Sequence, residues 1–221
     1  MSFDSEADPL QVEPVGTAKV TEQSVFGGSL SLVDSYPGGG VAAEFPEFSE
    51  GNEEPGVGLV ASPGDKLLPE PSNAEFGFGA DVRLRSVESS DDDNGDNIIQ
   101  RGLAADPAQF KLQIDHGVPS CSVTGDAGRR LVKGELLEEG IWYRLACVRA
   151  TGALKLTVSA VGEDELKEYE VKGSTGRVDF VDATPLAIGR KATGAGEIVI
   201  KQPDQFNGTL DSVWVGIDDE R

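Results

Sequence analysis

The stretch AEFGFGADVRLRSV, residues 74 to 87, alternates apolar and polar side chains. Successive side chains of a β-strand point to opposite faces of the sheet, so a period of two separates the residues into two sets. One set is apolar and comprises Phe76, Phe78, Ala80, Val82 and Leu84. The other is charged and comprises Glu75, Asp81, Arg83 and Arg85. The pattern predicts a strand with one face in a core and one in water, as in many antiparallel sheets.

Short runs of this kind recur with turn residues between them and no helical period, which predicts an all-β, two-sheet antiparallel sandwich of jelly-roll type. The Pro- and Gly-rich residues 46 to 72 predict a long surface connection, or one with only a short strand near Val57 to Val60. The runs are TAKVTEQSVFGGSLSLVD, GGGVAAEF, IIQRG, QFKLQID, VPSCSVTG, RRLVKG, GIWYRLACVR, ALKLTVSAV, KEYEVKG, PLAIGRK, EIVIKQ and FNGTLDSVWVGI.

The length of 221 residues suits a single β-sandwich domain over residues 15 to 221. Residues 1 to 14, MSFDSEADPLQVEP, predict an acidic arm or tail. This segment has no apolar stretch and does not predict a signal peptide. No run of about eighteen apolar residues occurs, so no membrane insertion is expected.

The charge balance is strongly acidic, with 19 Lys and Arg against 39 Asp and Glu and a formal net charge of -20. Such a field repels nucleic acid, anionic lipid and acidic polysaccharide, and a nucleic-acid partner is excluded on this ground. Neutral glycans, cations and basic proteins remain as partners. Solubility in a salty or extracellular setting is the alternative explanation of the charge.

Cys121 and Cys147 are the two cysteines of the chain, and each lies in a predicted strand. No Cys-x-x-Cys motif is present and no histidine lies beside them, so a zinc site is not predicted. Neighbouring antiparallel strands bring facing β-carbons within reach of a disulfide. We therefore expect a Cys121–Cys147 bridge and an oxidising compartment. Two free buried thiols are the alternative.

Two pieces of the chain have a recognisable order. GIWYRLACVR, residues 140 to 149, precedes a Thr-Gly hairpin and LKLTV, and FNGTLDSV, residues 206 to 213, has the pattern Phe-x-Gly-x-Leu-Asp. In this order they resemble the central hairpin and the closing strand of the laminin G-like, concanavalin A-like lectin/glucanase domains. The resemblance covers residues 15 to 218 and implies a concanavalin A-like jelly roll. The chain departs from it in the long acidic loop SAVGEDELKEYEV and in Trp214, where the family has a polar residue.

The resemblance also implies a structural calcium ion. In the family, the Asp of the closing strand often helps to hold calcium together with backbone carbonyls of the early Gly-rich strand. Here these ligands would be Asp211 and a carbonyl of Gly27 or Gly28. Carboxylate and carbonyl oxygens are the ligands that calcium prefers. The alternative is that Asp211 caps a turn through hydrogen bonds to the backbone.

Catalytic residues are not predicted. The Glu-x-Asp-x-Glu string of the family's glucanases is absent, and the adjacent acids of GEDELKE, residues 162 to 168, fall in a predicted loop. His116 is the only histidine, and no Gly-x-Ser-x-Gly motif accompanies it. A lyase could use Tyr143, Tyr169 and Arg144, but no second converging element supports this.

Trp214 and Tyr143 are the candidate ligand-binding residues. Strict alternation along TLDSVWVGI places Trp214 on the face of Leu210 and Ser212, away from Val213. On an open face Trp214 could stack on a sugar ring, and under the N-terminal arm it would only pack.

Together these inferences predict a non-catalytic, extracellular or cell-surface binding module that recognises a glycan or a protein and is a monomer. A glycoside hydrolase or polysaccharide lyase on the same scaffold is the alternative, and a structural spacer of a surface protein is a third reading.

Overall fold

The computed structural model describes residues 19–36, 38, 40–47, 53–62, 70–87, 95–181 and 184–218. The predicted N-terminal arm, residues 1 to 14, lies outside these ranges. The strands of the described part are β1 (Lys19–Val25), β2 (Ser31–Asp34), β3 (Val41–Glu44), β4 (Gly56–Ser62), β5 (Glu75–Leu84), β6 (Asp96–Arg101), β7 (Gln109–Asp115), β8 (Val118–Gly125), β9 (Gly128–Lys133), β10 (Trp142–Ala150), β11 (Ala153–Ala160), β12 (Lys167–Lys172), β13 (Leu186–Ile188) and β14 (Gly208–Asp218).

The strands form two antiparallel sheets of seven strands each in the described residues. The first sheet has the order β1-β4-β13-β6-β7-β8-β9, and the second has the order β12-β11-β10-β5-β14-β3-β2. The predicted all-β, two-sheet antiparallel jelly-roll sandwich is therefore confirmed. None of the described residues forms a helix long and apolar enough to cross a membrane.

The Pro- and Gly-rich stretch of residues 46 to 72 contains a full strand, β4. It runs over Gly56–Ser62, pairs with β1 and β13, and is buried along nearly its whole length. Its glycines interrupt the apolar run, and for that reason the sequence indicated only a short strand at Val57 to Val60. The alternative of a short strand in this region was therefore closer to the structure than a plain surface connection.

The core lies between the sheets and is dominated by aromatic side chains. Phe76 and Phe78 project inward from β5, as the alternation predicts, and meet Phe110 of β7. The ring centroids of Phe78 and Phe110 are 4.6 Å apart, which is within the range of favourable aromatic pairs. The inward face of β5 is thus fixed by packing against the first sheet.

A disulfide joins Cys121 to Cys147, as predicted, with a Cα–Cα distance of 6.0 Å. The expected geometry was wrong, because the two residues do not lie on neighbouring strands. Cys121 belongs to β8 of the first sheet and Cys147 to β10 of the second. The bridge crosses the core, so it ties the two layers of the sandwich together.

The run EIVIKQ does not form the predicted strand. The segment after β13 makes only an isolated bridge between Ala192 and Ile198. Ile198 packs with Val60 and Ala187 in a small apolar cluster separate from the main core. Ile198 covers the outer side of the first sheet. Its burial explains why the run alternates between apolar and polar residues although it does not pair as a strand.

Removing the bridge is expected to destabilise the domain without changing its fold. The chain-entropy model gives about 3 kcal/mol for a loop of this size. Urea unfolding of the double variant Cys121→Ala/Cys147→Ala should show this loss as a lower midpoint, and the slope should rise because the unlinked denatured chain exposes more surface. In the wild-type chain, alkylation in denaturant without reductant should leave the intact mass unchanged. Uptake of two alkyl groups under that condition would contradict the bridge.

Candidate functional site

The candidate site is on the side of the second sheet that faces away from the core. We call it the outward face and define it by the outward residues of β5, namely Gly77, Gly79, Asp81 and Arg83, with Arg144 of β10 and Trp214 of β14 opposite them. β5 lies between β10 and β14 in the sheet order. The outward face is therefore built at the centre of the sheet, where the backbone is held on both sides.

A β-bulge in β14 decides which side chains reach this face. Asp211 pairs with Asp81 and Trp214 pairs with Gly79, so three steps along β14 match two along β5. Ser212 lies in the bulge with a φ of 48°. An extra residue of this kind breaks strict alternation. Asp211 and Trp214 consequently point to the same side of the sheet.

The prediction that Trp214 shares a face with Leu210 was therefore wrong. Leu210 is fully buried in the core, whereas Trp214 is 41% exposed. The alternation of apolar and polar residues cannot by itself predict a bulge. The extra residue reverses the faces of all later residues in the strand, and the residue types at the bulge do not show this.

The indole of Trp214 lies along the two glycines of β5. A β-carbon at Gly79 would come within 2.8 Å of Trp214 Nε1, and one at Gly77 would come within 3.0 Å of Trp214 Cη2. The two ends of the ring system are thus at similar heights above the strand, so the indole is roughly parallel to it. At Gly77 the ring is the nearest group, whereas at Gly79 a β-carbon would also come within 2.4 Å of the Leu145 carbonyl oxygen, so both the ring and the neighbouring strand favour glycine there.

Next to the indole, Asp81 is the centre of a charged cluster. Its carboxylate is 1% exposed and accepts hydrogen bonds from Arg144 Nε at 2.8 Å and Arg144 Nη2 at 2.7 Å. Tyr36, from the connection between β2 and β3, donates its hydroxyl hydrogen to Asp81 Oδ2 at 3.0 Å. Two parallel N–H···O bonds of this type fix the guanidinium in a definite plane.

The pKa shifts of the cluster follow from these contacts. The hydrogen bonds to Asp81 raise the pKa of Arg144 above its ordinary value. Burial, followed by the hydrogen bond to the Asp81 carboxylate, raises the pKa of Tyr36. Both groups therefore keep their protons at neutral pH and act as hydrogen-bond donors to Asp81.

Asp211, the predicted calcium ligand, is also buried. It accepts hydrogen bonds from Ser35 Oγ at 2.7 Å and from the backbone N–H of Ser212 at 2.6 Å. The turn-capping alternative fits these contacts.

Gly27 and Gly28 lie elsewhere, in the turn after β1, where Gly28 packs against Gly56 at the start of β4. That turn connects β1 of the first sheet to β2 of the second, whereas Asp211 lies in β14 and makes its hydrogen bonds to Ser35 and Ser212. The described residues contain no group of three or more acidic, His or Cys side chains placed to hold a metal. Calcium stays a prediction.

Trp142 closes the far end of the outward face. It is 9% exposed, meets the edge of Tyr36 at a centroid distance of 5.7 Å, and lies under the guanidinium of Arg83 at 5.2 Å. It is opposite Arg83 in the register, so it is buried on the outer side of the sheet and not between the sheets. Stacking of this kind holds the Arg83 side chain against the sheet.

Tyr143 lies away from this face. Its neighbours Trp142 and Arg144 point outward, so its own side chain points to the inner side, where it packs against the edge of the core. There it lines a cavity of about 320 Å³ whose other walls include Glu135, Tyr169 and Lys167. The two predicted ligand-binding residues, Trp214 and Tyr143, therefore do not belong to one site.

The sequence reasoning missed Tyr36 and the role of Asp81. Asp81 was placed correctly on the polar face of β5, but its burial depends on Arg144 and Tyr36, which come from distant parts of the chain. Tyr36 lies in the connection between β2 and β3. Its position in a loop between two strands is the feature of the sequence that could have marked it as a candidate site residue.

Neither the family models nor the curated proteins gave a match. Solved structures did. The LG1-3 region of the laminin alpha2 chain superposes with a TM-score of 0.54 at 13% identity, covering 74% of this chain and 32% of that one. This protein has a laminin G-like, concanavalin A-like fold.

Two further structures show how varied proteins with this fold are. The enzymatically active domain of tailspike protein 2 from bacteriophage CBA120 has a TM-score of 0.57 at 15% identity, covering 94% of this chain and 30% of that one. Botulinum neurotoxin type C, whose cell entry depends on two ganglioside molecules, has a TM-score of 0.52 at 10% identity, covering 90% and 43%. The chain thus spans less than half of each matched protein, and identities this low establish the fold alone.

The two tryptophans should report their different surroundings. The variant Trp142→Phe leaves Trp214, which should emit at longer wavelength and be quenched readily by acrylamide because its ring is open to water. The variant Trp214→Phe leaves Trp142, which should be quenched several-fold less. Equal quenching constants in the two folded variants would contradict the open position of Trp214.

Proposed function

We propose that this protein is a non-catalytic glycan-binding module whose ligand lies on the outward face. The observation that carries the proposal is the position of Trp214, a large aromatic ring held flat and open over two glycines. Sugar-binding sites need a flat apolar surface with hydrogen-bonding groups beside it. Here the indole supplies the first, and the cluster of Asp81, Arg144 and Tyr36 supplies the second.

The rigidity of the site supports binding of a preformed kind. Trp214 is kept parallel to the sheet by the glycines below it, and Arg144 is held by two hydrogen bonds to a buried carboxylate. Side chains that are already ordered lose little conformational entropy when a ligand binds. The arrangement suits recognition of a short stretch of sugar without a large rearrangement.

Hydrolysis is less well supported by the same residues. Asp81 and Asp211 are direct partners across β5 and β14, so two carboxylates lie opposite each other on the outward face. A glycosidase pair must reach the bond from both sides and exchange protons with it. Both carboxylates are 1% exposed and already accept hydrogen bonds, so they are better suited to hold other side chains.

An extracellular or cell-surface setting belongs to the same proposal. The disulfide between the sheets is of the kind that persists in oxidising environments. Among the proteins of similar fold, the laminin chain and the neurotoxin bear names that fit binding outside the cell or at its surface. We also propose that the protein is a monomer. The same fold is compatible with a protein as the ligand in place of a glycan.

A glycan array with matched variants tests the proposal. We expect wild-type protein to bind a subset of glycans and Trp214→Ala to lose about tenfold or more in affinity, because aromatic anchors dominate such contacts. The control is Leu131→Ala, which removes a comparably exposed apolar side chain from the first sheet.

Two results would overturn it. Equal retention of wild-type and Trp214→Ala protein would separate glycan binding from the outward face. Release of shorter products from a polysaccharide panel, measured with purified protein, would favour the hydrolase or lyase alternative.

A further inference from the structure

Two guanidinium groups on the outward face have donors to spare. Arg83 donates one hydrogen bond, from Nη2 to Thr209 Oγ1 at 3.3 Å, and forms no ion pair with a carboxylate in the described part of the chain. Arg144 uses Nε and Nη2 on Asp81, while its Nη1 has no partner among the described residues. Its side chain is 58% exposed.

Arg83 has no carboxylate partner in the described part of the chain, although acidic residues outnumber basic ones by 39 to 19 in the whole sequence. Arg85, two residues further along, pairs with Glu44 at 3.1 Å, and Arg101 pairs with Glu70 at 2.6 Å. Arg83 instead stacks on Trp142, which fixes its position, and its Nε and Nη1 have no hydrogen-bond acceptor among the residues that the structure describes.

The register places the two arginines side by side. Arg144 is opposite Asp81 and Arg83 is opposite Trp142, so Arg83 and Arg144 are diagonal neighbours on one face of an antiparallel pair. Such neighbours lie roughly 7 to 8 Å apart at the backbone, a distance that two long side chains can bridge to a shared ligand group. Both are held in place, one by Trp142 and the other by Asp81.

We propose that Arg83 and Arg144 form a clamp for a carboxylate group carried by the glycan. The inference rests on the proposed function, because the sugar is the part that contacts Trp214. Guanidinium forks match the planar geometry of a carboxylate, and charge-assisted hydrogen bonds of this type are the strong ones. The ligand class is therefore a glycan that contains an acidic sugar, with its carboxylate towards Arg83 and a sugar ring towards Trp214.

The net charge of -20 does not oppose a single bound carboxylate. Salt screens exposed charges over about 8 Å at physiological ionic strength, so groups within the site decide the interaction. Within the outward face, the carboxylates of Asp81 and Asp211 are matched in number by the guanidinium groups of Arg144 and Arg83, so a bound carboxylate would be held by directed N–H donors rather than by an excess of positive charge. A long polyanion would still be repelled by the rest of the surface, so selectivity for one acidic residue within an otherwise neutral glycan is expected.

The test compares two matched ligands, lactose and the same disaccharide carrying a terminal sialic acid, by calorimetry with each variant. We expect wild-type protein to prefer the carboxylated member by about tenfold, and Arg83→Met to bring the ratio of the two dissociation constants close to one. Arg129→Met removes the same charge from the first sheet and should keep the ratio. If Arg83→Met is poorly folded, Arg144→Lys replaces it, since lysine keeps the charge near Asp81 but lacks the fork.

The outcomes separate this inference from the proposed function. An unchanged ratio in folded Arg83→Met or Arg144→Lys, or equal loss of it in Arg129→Met, overturns the clamp while leaving glycan binding intact. Loss of both ligands in Trp214→Ala with a preserved wild-type ratio supports both. Binding of neither ligand by the wild-type protein would overturn the clamp, and failure across a full glycan array would overturn the proposed function.

Discussion

The rest of the structure depends on strand β5. Its inward face packs in the core and must be apolar, whereas its outward face carries the charged residues of the candidate site. Its inward phenylalanines pack against Phe110 across the core, so the strand cannot shift its register without exposing them. Its outward residues are therefore fixed as well, with two glycines followed by Asp81 and Arg83. The same apolar pattern that forms the core thus sets the order of groups on the candidate site.

The outward face illustrates how buried charge and open aromatic surface support each other. Asp81 is hidden from solvent, and a carboxylate in that position is tolerable only because Arg144 and Tyr36 satisfy it. The same three groups lie beside an indole that nothing in the described residues covers fully. The groups that satisfy the buried carboxylate are therefore also the ones that border the exposed indole.

The general fold was accessible from the sequence because it depends on alternation, turn residues and chain length. These features predicted the sandwich and the inward face of β5, whereas the bridge between Cys121 and Cys147 was predicted from the presence of only two cysteines and its passage between the sheets was not. The site was accessible only in part. Trp214 was identified as a candidate, but its direction depends on the bulge at Ser212, and the neighbourhood of Asp81 depends on Tyr36 from a distant loop. Contacts between residues far apart in the chain leave no local period, so neither could be derived from one sequence.

The bulge in β14 also makes the outward face sensitive to the backbone conformation at Ser212. Trp214 points outward because one extra residue lies between it and Asp211. Removing that extra residue would restore strict alternation and leave the indole outward, because Trp214 would then follow Asp211 by two steps. Straightening the bulge at constant length would instead reverse the face of every later residue in β14 and turn the indole towards the core. The aromatic surface therefore depends on one backbone conformation as much as on the identity of residue 214.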